Sequence, residues 1–192
     1  MAKKLRLFWA VNLPAELKIK LVHVQERLKT AGADAKWVEH ENLHVTVKFL
    51  GETDVDLVAK IVETASDSLK NCQSFRVDVD GLGFFPGSAS PRVVWAGLKG
   101  EVSRLKEIAR VVEDAMAVHG FPREGRKFSP HLTLARIKSS GNAGELVEII
   151  GAEDAKIKNL GSFRVSSVDL MQSDLTPRGP VYTRLAAVKF RN

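Results

Sequence analysis

The sequence predicts an α+β fold of two pseudo-symmetric lobes, each a mainly antiparallel sheet with helices packed on its outer face, around a central cleft. Three observations predict it. Runs with the two-residue period of strands alternate with runs of helical period, Gly- and Pro-bearing loops divide them, and the pattern repeats once after about 87 residues. At 192 residues the chain is long enough for one well-buried core, so residues 1–192 are expected to form a single bilobal domain carrying an internal duplication. With 44% hydrophobic and 27% charged residues it reads as an ordinary globular protein, which excludes disordered and fibrous classes.

The apolar run Leu5 to Leu13 is strand-like, too short to span a bilayer and without a small-residue cleavage site; a cytoplasmic protein with no membrane partner is expected. Pro14, a good first-turn residue, opens a helix with Leu17, Leu21, Val24 and Leu28 on one stripe, and Gly32 stops it. After the segment around His44, Asp54 is positioned to cap a second helix carrying Val58, Ile61, Val62, Ala65 and Leu69. Strand alternation returns at Phe75 to Asp80, and Arg92 to Leu98 is a further strand-like run. A helix from about Glu101 to His119 carries Val102, Leu105, Ala109, Val112 and Met116 on its apolar face and ends at Gly120. The segment around His131, a short helix over Ala143 to Ile150, and strands at Phe163 to Leu170 and Val181 to Phe190 complete the chain.

The duplication is legible as a colinear series of matches. Trp9-Ala10 lies 35 residues before His44, and Trp95-Ala96 lies 36 before His131; Phe75-Arg76-Val77 recurs as Phe163-Arg164-Val165, and Pro91-Arg92 as Pro177-Arg178. A pseudo-twofold body built this way brings His44 and His131 to face each other across the cleft. The single cysteine, Cys72, excludes an internal disulfide and reads as a small residue near a helix end. A net charge of +6 and a pI of about 9.5 favour an anionic partner, although a solvated Lys/Glu surface accounts for part of that balance. Nothing in the sequence calls for an obligate protein partner.

His44-Val45-Thr46-Val47 and His131-Leu132-Thr133-Leu134 are both His-x-Thr-x with apolar x. In an extended strand alternate side chains share a face, so each segment presents one imidazole beside one hydroxyl while the apolar pair enters a core. A lone histidine more often satisfies a core hydrogen bond; two copies at equivalent places in a repeat point to a paired function. Near neutral pH one imidazole can be a base while another stays protonated, which suits in-line displacement at phosphorus with no metal or other cofactor. Thr46 and Thr133 would hydrogen-bond the non-bridging oxygens. Lys48 shares strand parity with His44 and Thr46 and would add charge to the cleft, with a solvent-exposed lysine as the alternative. Two basic and aromatic loops, Gly83 to Arg92 with Phe84, Phe85 and Arg92, and Phe121 to Phe128 with Arg123, Arg126 and Lys127, offer base stacking and phosphate contacts to single-stranded RNA. Phe84 and Phe85 equally suit a plug between the lobes.

Together with Arg6 to Ala10, Glu41-Asn42-Leu43, Lys48 to Gly51, Gly81 to Pro86, Trp95-Ala96-Gly97, Ala135-Arg136 and Leu175 to Tyr182, the paired motifs resemble the two-histidine phosphoesterase superfamily. In detail the chain is similar to the RNA 2′,3′-cyclic phosphodiesterase branch, also called the 2′-5′ RNA ligase family. The resemblance implies hydrolysis of an RNA 2′,3′-cyclic phosphate to a 2′-phosphomonoester, and reversible, ATP-independent joining of RNA ends in a 2′-5′ linkage. It implies that His44 donates a proton to the leaving 3′ oxygen, that His131 accepts one from water, and that Arg136 contacts the phosphate. Strict alternation puts Ala135 rather than Arg136 on the face of His131 and Thr133, so a bulge or strand end is required. Tyr182 and Arg178 enter on the resemblance alone.

Two rival readings are weighed against this one. His40-Glu41-Asn42-Leu43-His44 spells the H-E-x-x-H signature of zinc hydrolases, which needs a helix to put both histidines on one face; Asn42 and β-branched Val45, Thr46 and Val47 argue for a loop entering a strand. A non-catalytic module that binds RNA ends is the other. ATP-driven ligation is disfavoured because the chain has no phosphate-binding Gly-rich loop. His23, His40 and His119 are expected to be structural or solvated.

Overall fold

The computed structural model describes residues 3–154, 156–177 and 179–192. Its elements run β1 (Lys4–Asn12), α1 (Ala15–Lys29), β2 (Ala35–Trp37), β3 (His44–Asp54), α2 (Val58–Leu69), β4 (Phe75–Phe85), β5 (Val93–Gly100), α3 (Val102–Ala117), β6 (His131–Ile137), α4 (Ala143–Asp154), β7 (Gly161–Val165), β8 (Ser167–Thr176) and β9 (Gly179–Lys189). The helices match the expected apolar stripes: α1 buries Leu17, Leu21, Val24 and Leu28, and α3 buries Leu105, Ala109, Val112 and Met116. One expectation fails locally. Asp54 is the last residue of β3, paired with Lys4, and a turn of 3-10 helix over Val55–Leu57 separates it from α2, so it caps nothing through its side chain. The strand register continues one step further instead, the Val55 N–H donating to the Lys3 carbonyl at 3.0 Å.

The strands form one sheet in the order β7-β4-β5-β6-β3-β1-β8-β9, with β2 added to the edge of β6. Every pairing between named strands is antiparallel. The two lobes are the two arms of this sheet: β3, β1, β8 and β9 on one side, β6, β5, β4, β7 and β2 on the other. Helices are exchanged between them. Helix α1 follows β1 in sequence yet packs with α4 and β7, whereas α3 follows β5 yet packs with α2 and β3. Each half of the chain therefore backs the other half's His-x-Thr strand.

Between helices and sheet lies one continuous apolar core that includes Trp9, Leu21, Leu28, Val45, Val112, Leu132 and Leu134, all with 2% exposure or less. Burying each such side chain contributes about 1.5–3 kcal/mol relative to solvent. The opposite face of the sheet is free of helices among the described residues and carries both motifs. At the far end of the β6 arm the repeated segments pair with each other: Phe75 with Val165, Arg76 with Arg164 and Val77 with Phe163. Arg76 Nε donates to Ser162 Oγ at 2.8 Å and Arg164 Nε to Ser74 Oγ at 2.8 Å, a reciprocal clasp expected of a duplicated sequence.

The two Trp-Ala landmarks are not structural equivalents. Ala10 pairs with Thr46 while Trp95 pairs with Thr133, so the repeat aligns Trp9 with Val94 and the tryptophans fall on opposite faces. Trp9 is sealed in the core, its indole N–H directed at Met116 Sδ at 3.2 Å. Trp95 lies on the motif face, flat against the backbone of Gly83, where an added Cβ would stand 2.2 Å from the ring. Gly83→Ala is expected to lower stability by about 1–3 kcal/mol through overpacking, read as a lower urea midpoint.

Candidate active site

Among the described residues β3 and β6, the strands where the two arms meet, share one residue pair: Val45 opposite Leu132. These are the first apolar positions of the two His-x-Thr motifs. Antiparallel register then sets His44 across from Thr133 and Thr46 across from His131, all four on the open face, with the imidazoles on a diagonal. Diagonal neighbours in such a ladder lie about 7–8 Å apart, close enough for both side chains to reach one group between them.

Both histidines are held in the same way. His44 Nδ1 lies 2.7 Å from the Asn42 carbonyl oxygen, and His131 Nδ1 lies 2.7 Å from that of Ser129. In each case Nδ1–H donates to the carbonyl two residues upstream, which leaves Nε2 as the working nitrogen. His44 Nε2 is 2.9 Å from Thr46 Oγ1, joining imidazole and hydroxyl within the first motif. Asn42 is itself anchored, its amide donating to the Pro180 carbonyl at 2.8 Å.

The two rings differ in environment. His44 packs against Phe8 at 5.0 Å and edge-on to Tyr182 at 5.5 Å. Burial among these rings pushes its pKa down to about 4, opposed by the bond to Asn42 and reinforced by the charges of Lys18 and His131. His131 meets Phe85 edge-on, at 5.0 Å. Its pKa is also lowered, mainly by burial and then by the Arg136 charge, against the bond to Ser129. Near neutral pH both imidazoles therefore favour the neutral form.

Matching β-bulges decide which cations enter the cleft. Trp9 pairs with Lys48 and Ala10 with Thr46, so Val47 is an extra residue in β3; Val94 pairs with Ala135 and Trp95 with Thr133, so Leu134 is extra in β6. After each bulge the faces swap. Ala135 turns into the core and Arg136 emerges, exposed, on the face of His131 and Thr133, which is the resolution the sequence required. Lys48 goes the other way, contrary to its strand parity. It is 3% exposed on the helix side, with Nζ 3.1 Å from Glu113 Oε1 and 2.8 Å from the Pro122 carbonyl. Phe49, 55% exposed, takes the place on the open face that Arg136 takes in the other arm. Gln25 of α1 supports the second bulge, donating to the carbonyls of Leu134 and Val38, each at 2.9 Å.

Among the aromatic candidates, Tyr182 reaches the cleft beside His44, and burial raises its phenol pKa despite the Arg136 and Arg6 charges. Phe84 does not reach it. It packs against the core, and its neighbour Phe85, one strand step away, is the ring that meets His131 and lies 5.3 Å from Trp95. Arg92 and Arg126 are exposed, Arg92 where its N–H bonds the Phe85 carbonyl and Arg126 in the loop that leads to His131. Arg178 lies outside the described residues. Phe8 and Asn42 entered the sequence analysis only within matched segments, and neither they nor Ser129 were given a role at the site. Parity along β1 points to Phe8, but the bonds that orient the rings come from backbone carbonyls, which side-chain identity at Asn42 and Ser129 does not reveal.

The H-E-x-x-H segment is not a helix: His40–Asn42 form one turn of 3-10 helix and His44 begins β3. His40 lines a surface hollow with Trp37 and Lys29, away from His44. Among the described residues no group of three or more His, Cys, Asp or Glu is placed to hold a metal ion. Among the same residues no helix is long and apolar enough to cross a membrane.

A histidine with a depressed pKa has a signed effect on stability. Between pH 6.5 and about 4 the unfolded chain binds a proton that folded His44 refuses, so its contribution is intact above 6.5 and is lost as pH falls. Urea stability is expected to drop in that window by up to about 3 kcal/mol more than in His44→Gln. Lys48→Met, which strands Glu113, is expected to cost roughly 1–3 kcal/mol in the same assay.

A family model described as LigT like phosphoesterase matches the chain twice, over residues 11–95 and 98–182. A protein of Methanothermobacter thermautotrophicus named RNA 2′,3′-cyclic phosphodiesterase is 37% identical over 180 residues, covering 94% of this chain and 96% of its own length. One of the same name from Aeropyrum pernix is 38% identical over 170 residues, covering 88% and 94%. The crystal structure of a Thermus thermophilus protein, TT0787, superposes with a TM-score of 0.77 at 27% identity, covering 97% of this chain and 98% of that one. The two matched segments each contain one His-x-Thr strand, and with relatives this similar along nearly their whole length the chain belongs to the LigT-like phosphoesterase family.

Proposed function

We propose that this chain hydrolyses RNA 2′,3′-cyclic phosphate ends to 2′-phosphomonoesters, in the cytoplasm and without a metal, with residues 1–192 acting as one duplicated bilobal domain. The observation that carries the reading is the Val45–Leu132 pair, which sets two imidazole-and-hydroxyl faces around one small volume. The relatives' name, RNA 2′,3′-cyclic phosphodiesterase, supplies the substrate class.

In this mechanism the cyclic phosphate sits between the diagonal histidines. Nε2 of His131 takes a proton from water as its oxygen bonds to phosphorus, the P–O3′ bond breaks on the far side, and Nε2–H of His44 protonates the leaving O3′. Thr46 and Thr133 donate hydrogen bonds to the non-bridging oxygens, and Arg136 balances their charge. His44 needs its proton for this role, although burial by itself favours the neutral ring. The phosphate anion supplies the missing term, since a negative charge beside an imidazole raises its pKa. Phe8 and Tyr182 wall the leaving side, and Arg92 and Arg126 at the rim attract the RNA backbone. An RNA 5′-hydroxyl in place of water would run the same displacement as ATP-independent 2′-5′ joining.

With a cyclic-phosphate-ended oligonucleotide and chelator present, wild-type protein is expected to release a 2′-phosphate. His44→Ala and His131→Ala should each lose about a hundredfold or more while remaining folded. Full activity in either variant, or loss of wild-type activity on chelation, would overturn the mechanism. The rate should be bell-shaped in pH, falling on the acid side as His131 protonates and on the alkaline side as His44 loses its proton in the complex.

A further inference from the structure

Beside His131, where the open face meets the first turns of α3, lies a slot of about 230 Å³ lined by Phe85, Trp95, Gly97, Lys106 and Pro130 among others. It is smaller than the roughly 300–1,000 Å³ that holds drug-sized ligands, a size suited to one ring system. The repeat exposes its origin. Gly97 stands opposite His131 where Asn12 stands opposite His44, and in the other arm Asn12 is tied to Asp169 at 2.8 Å while Phe8 and Tyr182 close round the ring. A side chain at Gly97 would fill the slot's floor and strike the Asp80 carbonyl at 2.6 Å.

We propose that this slot is an acceptor subsite that binds the 5′-terminal nucleoside of a second RNA, whose 5′-hydroxyl replaces water at phosphorus. The inference rests on the phosphodiesterase reading above and extends it. If His44 protonates the leaving O3′, the donor ribose lies on the His44 side and the nucleophile must approach from the His131 side, where the slot opens. Trp95 and Phe85 offer an aromatic wall for a base, and the Lys106 ammonium meets the following phosphate. The chemistry balances without an added reagent: P–O5′ forms as P–O3′ breaks, the 5′-hydroxyl proton passes to His131, and the His44 proton passes to O3′. The product is a 2′-5′ diester with a free 3′-hydroxyl.

The test supplies one oligonucleotide ending in a 2′,3′-cyclic phosphate and a second with a free 5′-hydroxyl, and reads joined and hydrolysed product in the same tube. Trp95→Leu, and Lys106→Ala on the exposed surface of α3, are each expected to lower the ratio of joined to hydrolysed product about tenfold, the order of one lost base stack or phosphate contact. Trp95→Phe should restore part of it. An acceptor whose first residue lacks its base should be joined by wild-type protein as poorly as the normal acceptor is by Trp95→Leu. An unchanged ratio in both variants overturns the inference, as does hydrolysis falling in step with joining, which would assign the slot to the donor's own base. Wild-type protein that yields neither product overturns the phosphodiesterase reading itself and the acceptor subsite with it.

Discussion

Everything at the cleft depends on one backbone contact, the pairing of Val45 with Leu132. A longer ladder between β3 and β6 would flatten the junction into ordinary sheet, while the shared core and the Gln73–Arg191 bridge hold the arms together elsewhere. One pair fixes the register, and register fixes which side chains face the cleft, because a one-residue slip in either strand would send His and Thr into the core and Val or Leu out. Beyond the junction β2 takes over the edge of β6, so the backbone groups left by the departing β3 are still satisfied.

Around that junction a symmetric frame is given asymmetric chemistry. Both motif strands carry a bulge at the same place, and both bulges are braced by the helix borrowed from the opposite half: Gln25 of α1 at the Leu134 carbonyl, Glu113 of α3 at the Lys48 ammonium. The residue that emerges after the bulge is Arg136 in one arm and Phe49 in the other. Duplication thus supplies paired acid and base groups, while divergence at a few positions supplies a cation on one side and an aromatic wall on the other. Lys48 is spent on structure: it joins β3 to α3 and, through the Pro122 carbonyl, to the loop that ends at Ser129 and His131.

The same divergence separates the histidines electrostatically. His44, enclosed by Phe8 and Tyr182, is the more strongly desolvated, and His131 sits at the edge of an open slot near Arg136. Two imidazoles of equal environment would titrate together and could not hold opposite protonation states efficiently; unequal burial separates them, and a bound anion acts on both.

Most of the architecture was legible from residue patterns, because helical stripes such as Leu17-Leu21-Val24-Leu28 and the spacing of the two His-x-Thr segments depend only on local periodicity and on repetition. The need for a bulge before Arg136 was also legible, since parity failed there. Lys48 and Phe84 went astray for a common reason: a strand's faces can be counted only while its alternation is regular, and neither a bulge after Thr46 nor the facing of β4 is written in nearby residues. The sequence by itself determined the chemistry available, two imidazoles and two hydroxyls in repeated strands. Tertiary structure alone decided how they meet, which carbonyls orient the rings, which cation faces them and on which side a slot remains, because each of these is set by contacts between segments far apart in the chain.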